Sequence, residues 1–125
     1  MNFSIDNYYE LMALHRVIME AKFSADPSDS AIQGSPYVAT IANQAIEVLI
    51  EIEVSKEGES SRSKWQEWRK ISPDRREYKI VQTKIKSEAL WKTWSFDEQT
   101  TYIKDLVSPL QISDELVSEL ISSST

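Results

Sequence analysis

Four tryptophans fall in two pairs of the same spacing, Trp65-x-x-Trp68 and Trp91-x-x-Trp94, and cations are threaded among them. On a helix, residues three apart are surface neighbours, so each pair can present an aromatic ledge. With Arg62, Lys64, Arg69, Lys70 and Lys92 alongside, such ledges have the parts of a single-strand nucleic-acid binder: rings that stack on bases and cations that neutralise phosphate. Arg75 and Arg76 extend the basic stretch. The competing use of the rings is to bury their large apolar area in a core or a subunit interface while the cations stay solvated. That use is expected, because no recognised nucleic-acid-binding motif accompanies the charge.

Two other sets of residues have types that do chemistry. His15 is the only histidine and so the only side chain whose ordinary pKa lies near neutrality. A catalytic role would need a nucleophile or carboxylate brought to it by the fold. A core or interface histidine hydrogen-bonded to a neighbour is the expected reading, since a single titratable residue is weak evidence of a site. Glu47 and Glu51 stand four apart, where like charges repel by a few tenths of a kcal/mol on a helix. With Glu53, Glu57 and Glu59 they form an acidic strip that would suit Arg75, Arg76 or Lys79 within the chain, the same residues across a symmetric dimer, or a basic partner. Complementary charge of this kind mainly raises association rate and selects partners.

The charge is sorted along the 125 residues although the total is only −6. Residues 1 to 60 hold three cations against ten acids, 61 to 92 hold ten cations against four acids, and 93 to 125 hold Lys104 alone against six acids. The absence of cysteine excludes disulfides, thiolate metal sites and cysteine nucleophiles, and fits a reducing compartment. With one histidine, a structural zinc site is not expected, and no EF-hand loop appears. No cofactor is expected. Two glycines, Gly34 and Gly58, are too few for Walker-type or Rossmann-type phosphate loops. The start, Met1 to Asn7, lacks the cationic and apolar regions of a signal peptide, and no apolar run approaches the roughly 20 residues needed to span a bilayer. A cytoplasmic protein without membrane contact is expected.

These residues must be positioned by helices. The length fits one domain. Ile5 to about Ser24 reads as a helix capped by Ser4 or Asp6, with Leu14, Ile18, Leu11, Tyr8, Met19 and Met12 on an arc wide enough for neighbours on two sides. Ser35-Pro36 opens a second, with Val38, Ile41, Ala42, Ala45, Ile46, Leu49 and Ile52 on its apolar face. A short helix over about 62–71 follows. Ser72-Pro73-Asp74 then opens a long segment to about Trp94. Ser95-Phe96-Asp97-Glu98 matches a capping box, and the helix it starts stops at Pro109. Ser113 caps a last short helix, and residues 122–125 are expected to fray.

The predicted fold is therefore an all-α, bundle-like single domain over 1–125, with five or six helices packed around Leu11, Ile18, Ile41, Leu49, Ile85, Ile103 and Leu106. Alternation in 47–55 and 77–86 leaves an α+β alternative in which those segments pair as strands. The expected function is a non-enzymatic protein-interaction module that meets another polypeptide through Glu47 and Glu51 or through Trp65 and Trp68. An acidic inhibitor or immunity-type protein is one instance. A nucleic-acid module using 62–92, through Arg62, Lys64, Arg69, Lys70, Arg75 and Arg76, is the alternative, and an enzyme built on His15 ranks below both.

Overall fold

The computed structural model describes residues 1–124. Among them are six α-helices and no strand: α1 Tyr8–Lys22, α2 Pro36–Glu57, α3 Ser60–Arg69, α4 Arg76–Ser87, α5 Phe96–Val107 and α6 Asp114–Ser123, with a single 3₁₀ turn at Trp91–Thr93. The all-α reading holds. Segments 47–55 and 77–86 are helical, because the alanines of α2 and the apolar spacing of α4 keep one helical face inward in each.

Local chemistry explains several boundaries. Ser35 accepts from the Val38 amide with Pro36 as the first helical residue, and Ser113 accepts from Leu116 in the same way. Ser95 and Glu98 complete a reciprocal capping box at α5. At Gly58 the backbone turns with φ 96°, a conformation that a side chain would oppose, and its amide closes α2 onto Val54.

Other boundaries differ from expectation. The first helix starts at Tyr8 because Asn7, not Ser4 or Asp6, supplies the cap, accepting from the amides of Tyr9 and Glu10. Ser72-Pro73-Asp74 forms a turn closed by Arg75 N–H on Ser72 O, and α4 begins only at Arg76. That helix stops at Ser87 instead of continuing to Trp94. A continuous helix would have placed Val81 and Ile85 on one face and Trp91 and Trp94 on the other. The break returns Trp91 to the core beside Ile103 and Leu106. The last helix runs through Ser123, and Trp91 Nε1 donates to Ser124 Oγ at 2.8 Å. Of the residues expected to fray, Thr125 lies outside the described residues.

α1 runs antiparallel to α2, with Tyr8 beside Glu53 and Leu11 packed on Ala45 and Leu49. Leu11, Ala45 and Leu49, with Tyr8, Met12, Leu14 and Ile52, make one apolar cluster; a larger one joins Phe23, Ile71 and α4 to α5, α6 and the Trp91 turn. Six of the seven expected core residues are buried, but Ile41 is 48% exposed. The small side chains Ala39, Ala42 and Ala45 allow neighbours closest to their own face of α2, which turns Ile41 outward. Gly34 fits by contact rather than by φ: a Cβ there would stand 2.7 Å from Tyr102 Cε1. Gly34→Ala is expected to cost about 1–3 kcal/mol, since the half-buried ring must shift. Urea unfolding of that variant, with a midpoint equal to wild type, would count against this packing.

Candidate functional site

A groove of about 980 Å³ opens where α1, the end of α2, α3 and the start of α4 meet. It lies on the seam between the two apolar clusters. Met12 and Tyr8 along its edge pack on the smaller cluster, while Met19 and Trp68 pack on the larger. Tyr8, Met12, His15 and Met19 recur at helical spacing on α1, so one side of its wide apolar arc faces the core and the other faces the groove.

Three rings from two helices stand nearly perpendicular to one another there. The ring centroids of Trp65 and Trp68 are 5.5 Å apart, those of His15 and Trp65 5.8 Å, and those of His15 and Trp68 5.4 Å, with interplanar angles of 83°, 83° and 67°. Such edge-to-face pairing is the favoured aromatic geometry. Glu53 organises the neighbouring rings: its carboxylate accepts from Tyr8 Oη at 2.8 Å and from Trp65 Nε1. The hydrogen bond to that carboxylate, with burial and its negative charge, raises the Tyr8 pKa. Cations lie over two ring faces, Lys56 Nζ 5.1 Å from the Tyr8 centroid and the Arg75 guanidinium 5.3 Å from that of Trp68.

His15 is only 7% exposed. Among the described residues its ring meets aromatic neighbours and no hydrogen-bond partner, which corrects the expectation of a hydrogen-bonded histidine. Burial lowers its pKa, with the Arg16 charge adding to the effect, so the imidazole is neutral at neutral pH. No group of three or more histidine, aspartate or glutamate side chains among the described residues is arranged to hold a metal ion.

The structure does not bring the four expected partner-binding residues together. Trp65 and Trp68 line the groove, whereas Glu47 and Glu51 lie on exposed parts of α2 beside separate depressions. Glu51 pairs with Arg62 at 2.6 Å, and Arg62 also meets Glu59 at 2.9 Å. The acidic strip is thus answered by Arg62 and not by Arg75, Arg76 or Lys79. Glu53, Tyr8, Met12 and Met19 belong to the site without having been singled out as site residues.

Most of the residues proposed for nucleic acid are engaged internally. Arg69 is buried, with Nε donating to Pro109 O at 2.8 Å and Nη2 to Asn43 Oδ1 at 3.1 Å. Arg75 donates to Trp68 O and Lys70 O and pairs with Glu77, Arg76 donates to Phe23 O, and Lys70 pairs with Glu67. Lys64 remains on the groove rim. Of the four tryptophans Trp91 is a core residue, while Trp94, edge-on to Tyr102, stays partly exposed as Trp65 and Trp68 do; only Trp65 and Trp68 line the groove. No helix of the described residues is long and apolar enough to cross a membrane. Comparisons of this chain with protein-family models, with curated proteins and with solved structures find no match.

Proposed function

We propose that this chain is a non-enzymatic cytoplasmic interaction module that docks another polypeptide in the groove lined by Trp65, Trp68, His15, Met12 and Met19. The observation that carries the reading is the lining of the groove, where two tryptophans and two methionines stand together. A fold able to bury Trp91 leaves Trp65 and Trp68 accessible in a cleft with two methionines. Partly exposed aromatic and methionine side chains in a concavity are the composition of interface anchors. The cleft has charges of both signs at its rim, Glu20, Glu57 and Glu77 with Arg16, Lys64 and Arg76, which suits selection of one partner over adhesion to many. An acidic inhibitor that covers a basic protein is one instance. The reading moves the acidic contact from Glu47 and Glu51 to Glu53, Glu57 and their neighbours. The basic segment, tied up internally, supports a nucleic-acid role less well.

Affinity capture from the native lysate, with and without nuclease, tests this when wild type is run beside Trp65→Ala and a Trp94→Phe control. Wild type and control are expected to retain one stoichiometric, nuclease-resistant polypeptide. Trp65→Ala should weaken retention by roughly 30-fold, the effect of losing an anchor worth about 2 kcal/mol. Equal retention by Trp65→Ala, or retention of nucleic acid alone, would sink the proposal. Circular dichroism of each variant separates loss of binding from loss of fold.

A further inference from the structure

We propose that the cleft between the exposed face of α4 and the 24–33 loop binds a small organic phosphate, its phosphate monoester seated at Lys79 between Arg76 and Lys84. The cleft shares only Arg76 with the docking groove and the inference does not rest on that reading.

Helical spacing builds one wall. Arg76, Lys79, Ile80, Thr83, Lys84 and Ser87 recur three and four residues apart and so share one face of α4. The loop that carries the chain from α1 to α2 forms the other wall, and it is fastened to α4 and to itself. Arg76 Nη1 donates to Phe23 O at 2.6 Å, Lys84 Nζ to Ser30 O at 3.1 Å, and the buried Gln33 side chain to Ser24 O at 2.9 Å. The concavity between the walls measures about 650 Å³, a size suited to a small molecule.

Charge decides what fits. The lining carries three cations and no acid, in a chain whose net charge is −6. Elsewhere in the basic stretch Arg62, Lys70 and Arg75 each pair with a glutamate, whereas Arg76, Lys79 and Lys84 form no ion pair among the described residues. The acids of the adjoining segments are directed elsewhere. Asp29 accepts from the Ala31 amide, Glu77 pairs with Arg75, and the exposed Asp26 is not part of the lining. Cations gathered without counterions raise the local potential and draw an anion. Lys79, exposed and without a side-chain hydrogen bond, is free to contact it directly, while the two tethered cations add charge and their remaining N–H donors. A carboxylate or a sulfate monoester, with a single charge, leaves most of that potential unanswered. A phosphate monoester carries nearly twice as much charge and offers three acceptor oxygens. Ala25, Pro27 and Ile80 complete the lining with apolar surface, which an organic body covers and inorganic phosphate does not.

The test titrates the full chain with phenyl phosphate, phenyl sulfate, inorganic phosphate, a phosphoserine peptide and a single-stranded oligonucleotide, reading the backbone amide resonances of 24–33 and α4. Those signals are expected to move with phenyl phosphate while the Trp65 indole signal stays put. Phenyl phosphate should bind about tenfold tighter than phenyl sulfate. Its affinity should rise between about pH 5 and 7 as the ligand loses its second proton, since the lining has no histidine or carboxylate to titrate there. Lys79→Gln, which removes no hydrogen bond or ion pair of the fold, should weaken binding about tenfold, with the circular dichroism spectrum unchanged. Equal binding of phosphate and sulfate esters, no movement of the α4 signals at millimolar phenyl phosphate, or unchanged affinity in Lys79→Gln overturns the site. Inorganic phosphate binding as tightly as phenyl phosphate overturns the organic body. Tighter binding of the phosphopeptide or the oligonucleotide overturns the small-molecule source.

Discussion

Arg69→Ala is expected to lower the free energy of unfolding by about 2–4 kcal/mol, a large share of what holds a domain of this size together. Arg69 stands at the end of α3, 7% exposed, and its guanidinium joins Pro109 O and Asn43 Oδ1. The backbone nearby repeats the same junction: Ile71 N–H donates to Gln111 O and Gln111 N–H to Arg69 O. One side chain thus helps fasten the α3 end to the α5–α6 connection and to the middle of α2. Removing it leaves two acceptors without a donor and opens a space where its stem packed. Burial lowers its pKa, an effect offset in part by the Glu47 charge, yet a guanidinium keeps its proton throughout the working range. Arg69→Lys should recover little, because an ammonium lacks the planar fork that reaches both acceptors. Urea unfolding of the two variants checks this. A loss below about 1 kcal/mol for Arg69→Ala would mean that the backbone pairing alone holds the junction.

Stability is expected to rise as pH is raised from 8 towards 10, by an amount on the order of 2 kcal/mol, and Lys22→Met should abolish the rise. Lys22 is 1% exposed at the end of α1, where its ammonium donates to Asp105 O. Burial pulls its pKa down from 10.5 to about 8, against the opposing pull of the Asp105 charge. The unfolded chain therefore holds this proton up to about 10.5 while the folded chain releases it near 8. Between those values the unfolded state binds more protons, so stability increases with pH; below them both states are protonated and this group adds no slope. At still higher pH the sign reverses. Tyr102 is pushed up from 10.0 to about 12, first by burial and then by Glu88, so its phenol ionises more readily in the unfolded chain and stability falls as pH passes from 10 to 12. A maximum near pH 10 follows. Denaturant midpoints measured from pH 7 to 11 would show it. The same slope in Lys22→Met would place its origin elsewhere.

Much of the helix content was legible because it depends on contacts three or four residues apart. Ser35-Pro36, the Ser95 and Glu98 box and the Ser113 cap are local hydrogen bonds that the chain makes wherever the rest of it lies. Leu11, Ile18, Leu49, Ile85, Ile103 and Leu106 were recoverable as core for the same reason, since each recurs at helical spacing on a face with apolar neighbours. The end of α4 was not legible in this way. Ser87 to Trp94 has no proline or glycine to stop a helix, and the turn exists because Trp91 has a place against α5 and Ser124.

For the site, the sequence by itself determined the ingredients: an acidic chain without cysteine, two tryptophan pairs of equal spacing, and a first helix with more apolar surface than one neighbour could cover. Only the tertiary structure decided that Trp91 is core while Trp65 and Trp68 line a groove, that Arg69 and Lys22 are buried ties, and that Glu53 is the acid among the rings. The physical reason is range. Helix formation is settled by bonds between near neighbours, whereas exposure, charge pairing and the meeting of His15 with Trp65, fifty residues apart in sequence, are settled by which faces α1, α2 and α3 present to one another once they pack.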